Sequence, residues 1–183
     1  MNETARRAMA EITAVVETIP QETAETLANE LLQVGTIVGY GLGREMLMLR
    51  AFCMRLMHLG FNAHVAGDVT TPPVGPGDLV IITAGPGELS MAATMLQLAK
   101  QAGARVVVFT AQPDGSVPRA ADRVIHIPAQ TMANDQGSQT STLPMGSVFE
   151  IALLIFFDLV VLRLIDMTSQ TTDEIRERHT NLE

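Results

Sequence analysis

Residues 79–90 read Leu79-Val80-Ile81-Ile82-Thr83-Ala84-Gly85-Pro86-Gly87-Glu88-Leu89-Ser90. The four apolar residues that open this stretch predict a short buried strand. Gly85, Pro86 and Gly87 end the strand in a tight turn. From Glu88 to Ala102 apolar residues recur every three or four positions, which predicts a helix. Because the N–H groups and the dipole at the start of such a helix favour an anion, this turn is a candidate binding site.

A second unit of the same kind lies upstream. A predicted strand at Thr36–Tyr40 is followed by Gly41-Leu42-Gly43 and by a helix that begins at Arg44. Two such turns at the carboxyl ends of neighbouring parallel strands form a crevice, which is where ligands of open α/β sheets bind. The third glycine of a dinucleotide fingerprint is replaced by Met46 after the first turn and by Ser90 after the second, so a dinucleotide is not expected.

The rest of the chain alternates helical and strand patterns. Helices are predicted at 4–18, 22–32, 44–59, 88–102 and 144–167, with a short last helix after Thr171, and strands at 36–40, 62–65, 79–82, 105–110 and 123–127. The alternation predicts an α/β fold with a doubly wound five-stranded parallel sheet and an N-terminal helical pair, in one domain over residues 1–183. Between the last strand and the long helix, residues 130–143 form a polar loop. A loop of that length is usually functional, and its hydroxyls at Ser138, Thr140, Ser141 and Thr142 are candidates to complete the site.

Composition excludes several classes of function. Lys plus Arg total 12 and Asp plus Glu total 20, a net charge of −8, which argues against nucleic acid or an anionic membrane as partner. The single cysteine, Cys53, excludes an intrachain disulfide. No His, Cys, Asp or Glu spacing indicates a metal site. With no signal peptide and no apolar run long enough for a membrane span, we expect a cytoplasmic protein.

The helix that contains residues 148–165 is apolar nearly all round. Such a helix is buried on every side, either within one subunit or by a neighbouring subunit. Together with the eleven methionines, this pattern favours a homo-oligomer.

Several segments form a recognisable series along the chain: Gly41-Leu42-Gly43-Arg44 and residues 51–61, 67–72, 77–79, 144–150 and 176–183. In this order they resemble the 6-phospho-3-hexuloisomerase branch of the sugar isomerase (SIS) domain family. The resemblance implies a flavodoxin-like α/β sandwich, usually tetrameric. It also implies aldose–ketose isomerisation of a phosphosugar through an enediol, with no metal or nucleotide cofactor.

The resemblance also assigns roles to individual residues. Glu150 matches the proposed base that forms the enediol, while His58 and His179 match histidines thought to reach a neighbouring site for ring opening or proton transfer. The residues implied in substrate binding are Gly41, Gly43, Arg44, Thr71, Gly85, Gly87, Glu88 and Ser90. Other interpretations stay open: Glu150 as an ordinary first-turn carboxylate, His58 as a polar position late on an amphipathic helix, and His179 as an exposed terminal residue.

The chain departs from the family pattern at the hydroxyls expected around the phosphate. The family's first turn continues with Ser after the arginine, where this chain has Glu45. Its second turn usually reads Ser-Gly-Ser-Gly-Glu-Thr, where this chain has Ala84, Pro86 and Leu89 at the hydroxyl positions. These changes predict weak binding of simple phosphosugars. They also keep open an alternative function, a non-catalytic SIS domain that binds a sugar or nucleotide-sugar derivative as a sensor.

Overall fold

The computed structural model describes residues 2–137 and 140–182, so the loop residue Ser138 lies outside the described residues. Its helices and strands are α1 (Glu3–Thr18), α2 (Gln21–Leu31), β1 (Thr36–Tyr40), α3 (Gly43–His58), β2 (Asn62–Val65), β3 (Leu79–Thr83), α4 (Ser90–Gln101), β4 (Arg105–Thr110), α5 (Ser116–Arg119), β5 (Arg123–His126), α6 (Ser147–Thr168) and α7 (Thr172–Glu177).

The strands form one parallel sheet in the order β2-β1-β3-β4-β5. Val38 of β1 lies opposite Val80 of β3, which lies opposite Val106 of β4. This order is the flavodoxin-like one, in which the chain winds away from β1 in one direction and then returns to continue from β3 in the other. The prediction of a doubly wound five-stranded α/β fold is therefore confirmed, and the β1/β3 junction is where the two glycine turns meet.

Both faces of the sheet are covered by helices. On β3, Leu79 and Ile81 face a core shared with α2, α3 and α6, whereas Val80 and Ile82 face α4 and α5. Strands buried on both faces need apolar residues at consecutive positions, which explains the uninterrupted apolar start of β3.

Helix α6 is buried mainly by its own chain. It packs against α1, α2 and α3, and Phe157 stacks on Phe52 of α3 with ring centroids 4.3 Å apart. A stripe of Ile155, Leu159 and Leu162 stays exposed on its outer side. Packing inside one subunit thus accounts for most of the apolar surface of this helix. Within residues 2–137 and 140–182, no helix is long and apolar enough to cross a bilayer.

Two helices begin later than the sequence predicts. α6 begins at Ser147 instead of Pro144, because Met145 has a positive φ of 54° and interrupts the helical path. α4 begins at Ser90 instead of Glu88, and the Glu88 carboxylate instead accepts hydrogen bonds from the backbone and hydroxyl of Ser116 at the start of α5.

Candidate active site

A cavity of about 300 Å³ lies at the carboxyl ends of β1 and β3. Its walls are the first turn of α3, the turn after β3, and the segment that leads into the first turn of α6. We call this cavity the crevice. Its charged lining residues, within the described part of the chain, are Arg44, Glu45 and Glu150.

Arg44 and Glu150 form an ion pair across the crevice. The Arg44 Nε donates a hydrogen bond to Glu150 Oε2 at 2.5 Å. The Arg44 side chain is 60% exposed, whereas that of Glu150 is 12% exposed. The carboxylate that the resemblance implies as the base is therefore largely shielded from water and oriented by a cation at the mouth of the crevice.

Glu45 turns inward from the first turn of α3 onto the turn after β3. Its two carboxylate oxygens accept hydrogen bonds from the Gly85 N–H at 3.2 and 3.1 Å. Burial, reinforced by the negative charge of Glu150, raises the pKa of Glu45 to about 7, although the Gly85 N–H and the nearby Thr83 hydroxyl act in the opposite direction. A Cβ at position 85 would lie 2.7 Å from Glu45 Oε1 and 3.0 Å from two ring carbons of Phe149, so a larger residue here would displace the Glu45 carboxylate.

The other predicted glycines shape the backbone around the crevice. A Cβ on Gly41 would lie 2.3 Å from the Thr83 hydroxyl, and one on Gly87 would lie 2.8 Å from the carbonyl oxygen of Gln112. Gly43, with φ of +55°, starts α3 and lines the crevice. Of the predicted binding residues in the second turn, Glu88 and Ser90 are exposed and lie outside the crevice lining.

Thr71 lies in a second cavity of about 370 Å³ beside the edge strand β2. Its hydroxyl lies 2.7 Å from the Val65 carbonyl and 2.8 Å from that of Asp68, and donates to these oxygens. The Arg50–Asp68 ion pair and His64 line the same cavity. The structure therefore separates Thr71 from the Glu150 carboxylate.

His58 and His179 come together at the far end of α3. Their ring centroids are 5.0 Å apart, and Arg178 donates to the His58 carbonyl at 3.0 Å, which fastens the C-terminal segment there. Arg44 lies nearly four helical turns earlier, about 20 Å along the helix axis. These two histidines are paired as a unit but do not reach the crevice of their own chain.

The loop before α6 contributes crevice residues that the sequence did not suggest. Thr131, Met132 and Met145 line the cavity, and Gln130 Nε2 donates to the Met145 carbonyl at 2.8 Å. Two of the hydroxyls predicted to complete the site are used elsewhere: Ser141 and Thr142 both donate to the Glu11 carboxylate on α1. Interleaved polar and apolar residues in a loop carry no periodic signal. Only the folded chain therefore shows which loop residues line the crevice and which bind Glu11.

The family follows from a comparison of the whole sequence with known proteins. The model of the SIS domain matches residues 30–155. The chain belongs to the SIS domain family. This SIS protein is 39% identical over 165 residues to the 3-hexulose-6-phosphate isomerase of Bacillus subtilis (strain 168), covering 90% of this chain and 89% of the relative. It is also 39% identical over 173 residues to the enzyme of that name from Mycobacterium gastri, covering 94% and 86%.

A solved structure agrees with these relatives. A hypothetical protein from Methanococcus jannaschii, whose crystal structure infers a function of 3-hexulose-6-phosphate isomerase, superimposes with a TM-score of 0.85. The two chains are 28% identical and each is covered completely. The resemblance to the hexuloisomerase branch of the SIS family is confirmed.

Proposed function

We propose that this SIS protein is a phosphosugar isomerase that interconverts 3-hexulose 6-phosphate and fructose 6-phosphate. The observation that carries the proposal is the Glu150 carboxylate, which projects from the first turn of α6 into the crevice and is oriented by Arg44. The relatives named 3-hexulose-6-phosphate isomerase support it, since they match nearly the whole chain at 39% identity.

The reaction moves a carbonyl group from C3 to C2 without net oxidation. Glu150 would remove the proton from C2 of the 3-ketose, and the electrons of that C–H bond form the enediol. The same carboxyl would return the proton to C3, while a second proton passes from the C2 oxygen to the C3 oxygen. Such a base contributes about 10²–10⁴-fold to the rate. The remaining guanidinium N–H groups of Arg44 can bind a phosphate or a sugar oxygen at the mouth.

The proposal includes a cytoplasmic location and a homo-oligomer, with a tetramer as the family precedent, and requires no cofactor, nucleic acid or membrane. Two exposed apolar stripes support an oligomer: Ile155, Leu159 and Leu162 on α6, and Leu47, Met54 and Met57 on α3. His58 lies about 20 Å along α3 from Arg44 in the crevice, and His179 lies beside His58. A catalytic role for these two histidines therefore requires the crevice of another subunit.

The second candidate is a non-catalytic SIS domain that binds a sugar derivative as a sensor. The observation that favours it is the Glu45 carboxylate on the Gly85 N–H, at the turn where the sequence predicts an anion. With Ala84, Pro86 and Leu89 in the same turn, three side chains that could donate hydrogen bonds are absent.

One experiment distinguishes the two candidates. Purified protein is supplied with 3-hexulose 6-phosphate, and fructose 6-phosphate is followed by NMR while sugar binding is measured by calorimetry. Turnover that depends on protein concentration supports the isomerase. Saturable binding without turnover supports the sensor.

A further inference from the structure

At its inner end the crevice is lined by Glu45, whose carboxylate belongs to a set of four groups that lie close together. They are the Glu45 carboxylate, the Gly85 N–H, the Thr83 hydroxyl and the backbone of Gly41. Thr83 is fully buried, and its hydroxyl faces Glu45 and Gly41 without meeting the geometry of a hydrogen bond to any described residue. The Gly85 N–H and the Thr83 hydroxyl, the two donors of this group, therefore both face the Glu45 carboxylate.

The charges around this inner end are predominantly negative. Glu150 faces Glu45 from α6, and Arg44 from α3 directs its Nε at Glu150. The turn after β3 contributes the uncharged residues Pro86 and Leu89 to the crevice lining. Of the other walls, Leu42 and Met145 are apolar, and Thr131 and Ser147 are polar but uncharged. A dianion placed here would meet two carboxylates and would have to displace one of them from the Gly85 N–H.

We infer that Glu45 determines the specificity of the crevice: its carboxylate keeps the Gly85 N–H occupied, so the inner end takes a neutral, hydroxyl-bearing part of a sugar and rejects a phosphate. A carboxylate oxygen has further lone pairs with which it can accept hydrogen bonds from sugar hydroxyls. This inference rests on the proposed function only in taking a sugar as the ligand. The phosphate of a hexulose 6-phosphate then lies at the mouth, beside the exposed N–H groups of Arg44.

The test uses sulfate, which has the shape of phosphate and stays a dianion between pH 6 and 8. Sulfate binding is measured by calorimetry for the wild type, Glu45→Gln and Glu45→Ser, with Glu22→Gln on the exposed start of α2 as the matched control. At pH 8 we expect both Glu45 variants to bind sulfate at least about ten-fold more tightly than the wild type and the control do.

The pH dependence gives a second readout. Burial raises the pKa of Glu45 to about 7, so its negative charge is largely absent at pH 6 and present at pH 8. Wild-type affinity for sulfate should therefore fall about ten-fold from pH 6 to pH 8, whereas that of Glu45→Gln should stay constant.

Three outcomes overturn the inference: equal sulfate affinity in the wild type and both folded variants, no sulfate binding in either variant, or wild-type affinity that does not change with pH. Circular dichroism checks that each variant is folded. With two variants at position 45, the test can still be made if one of them does not fold. This test is independent of the proposed isomerase activity. Sulfate affinity can depend on Glu45 in a protein that does not isomerise a sugar, and an active isomerase can bind sulfate with an affinity that does not depend on Glu45.

Discussion

Replacement of Glu150 by glutamine tests the catalytic base with little change in shape. Glutamine keeps the volume of the side chain, and its carbonyl oxygen can still accept the hydrogen bond from Arg44 Nε. It cannot take a proton from carbon. We expect isomerisation to slow by about 10²–10⁴-fold, which corresponds to about 3–5 kcal/mol of activation free energy.

The structure indicates that the same substitution leaves the fold intact. The Arg44 side chain is 60% exposed, so it remains in contact with water when its partner loses the negative charge. An ion pair with one such exposed member contributes about 0–1 kcal/mol to stability. For a chain of this size we expect Tm to fall by no more than about 4 °C.

The assay follows solvent deuterium entering C3 of fructose 6-phosphate by proton NMR. This exchange reports removal of the carbon-bound proton even when the isomerisation equilibrium hides net turnover. Asp158→Asn is the matched control, because it removes an exposed carboxylate from the same helix. If Glu150→Gln exchanges deuterium as fast as the wild type and Asp158→Asn, Glu150 is not the base.

Three further predictions concern stability and assembly. Since folding raises the pKa of Glu45 to about 7, burial of its carboxylate destabilises the fold increasingly as pH rises above the unfolded value near 4.5. In urea unfolding at pH 8, the free energy of unfolding of Glu45→Gln should therefore exceed that of the wild type by about 1–3 kcal/mol, with little difference at pH 4. Urea unfolding curves that coincide for the two proteins at both pH values would contradict this. Phe157→Ala removes the ring stacked on Phe52 and edge-on to Phe109 and should cost about 3–5 kcal/mol, so a loss below 1 kcal/mol would refute the packing. Light scattering at micromolar concentration should give a dimer or tetramer, with Leu159→Asp on the exposed α6 stripe shifting the protein toward monomer, whereas a wild-type monomer would rule out the oligomer.

The strands could be predicted from sequence because their signals are local. The predicted bounds of β1 and β4 agree with those in the structure, because both faces of the sheet are covered and each strand therefore contains consecutive apolar residues. The start of α6 could not be predicted in this way. Pro144 is typical of a first helical turn, but the positive φ of Met145 delays the helix to Ser147.

The candidate site shows the same division between local and tertiary information. The glycine turns and the position of Glu150 follow from the motifs and the resemblance. The Arg44–Glu150 pair joins residues from different helices, and the inward rotamer of Glu45 depends on the Gly85 N–H that β3 supplies. Glu11 of α1 binds Ser141 and Thr142 of the polar loop, a contact between distant parts of the chain that no sequence spacing indicates.

We expect the sugar chemistry of this protein to take place in the crevice between α3 and α6. A crystal structure of the wild type soaked with fructose 6-phosphate tests it most directly. We predict the sugar in the crevice, with C2 or C3 about 3–3.5 Å from a Glu150 carboxylate oxygen, its hydroxyls toward Glu45 and its phosphate toward Arg44. A sugar bound in the cavity beside Thr71 and Arg50, with the crevice occupied only by solvent, would contradict a catalytic role for Glu150 and the crevice.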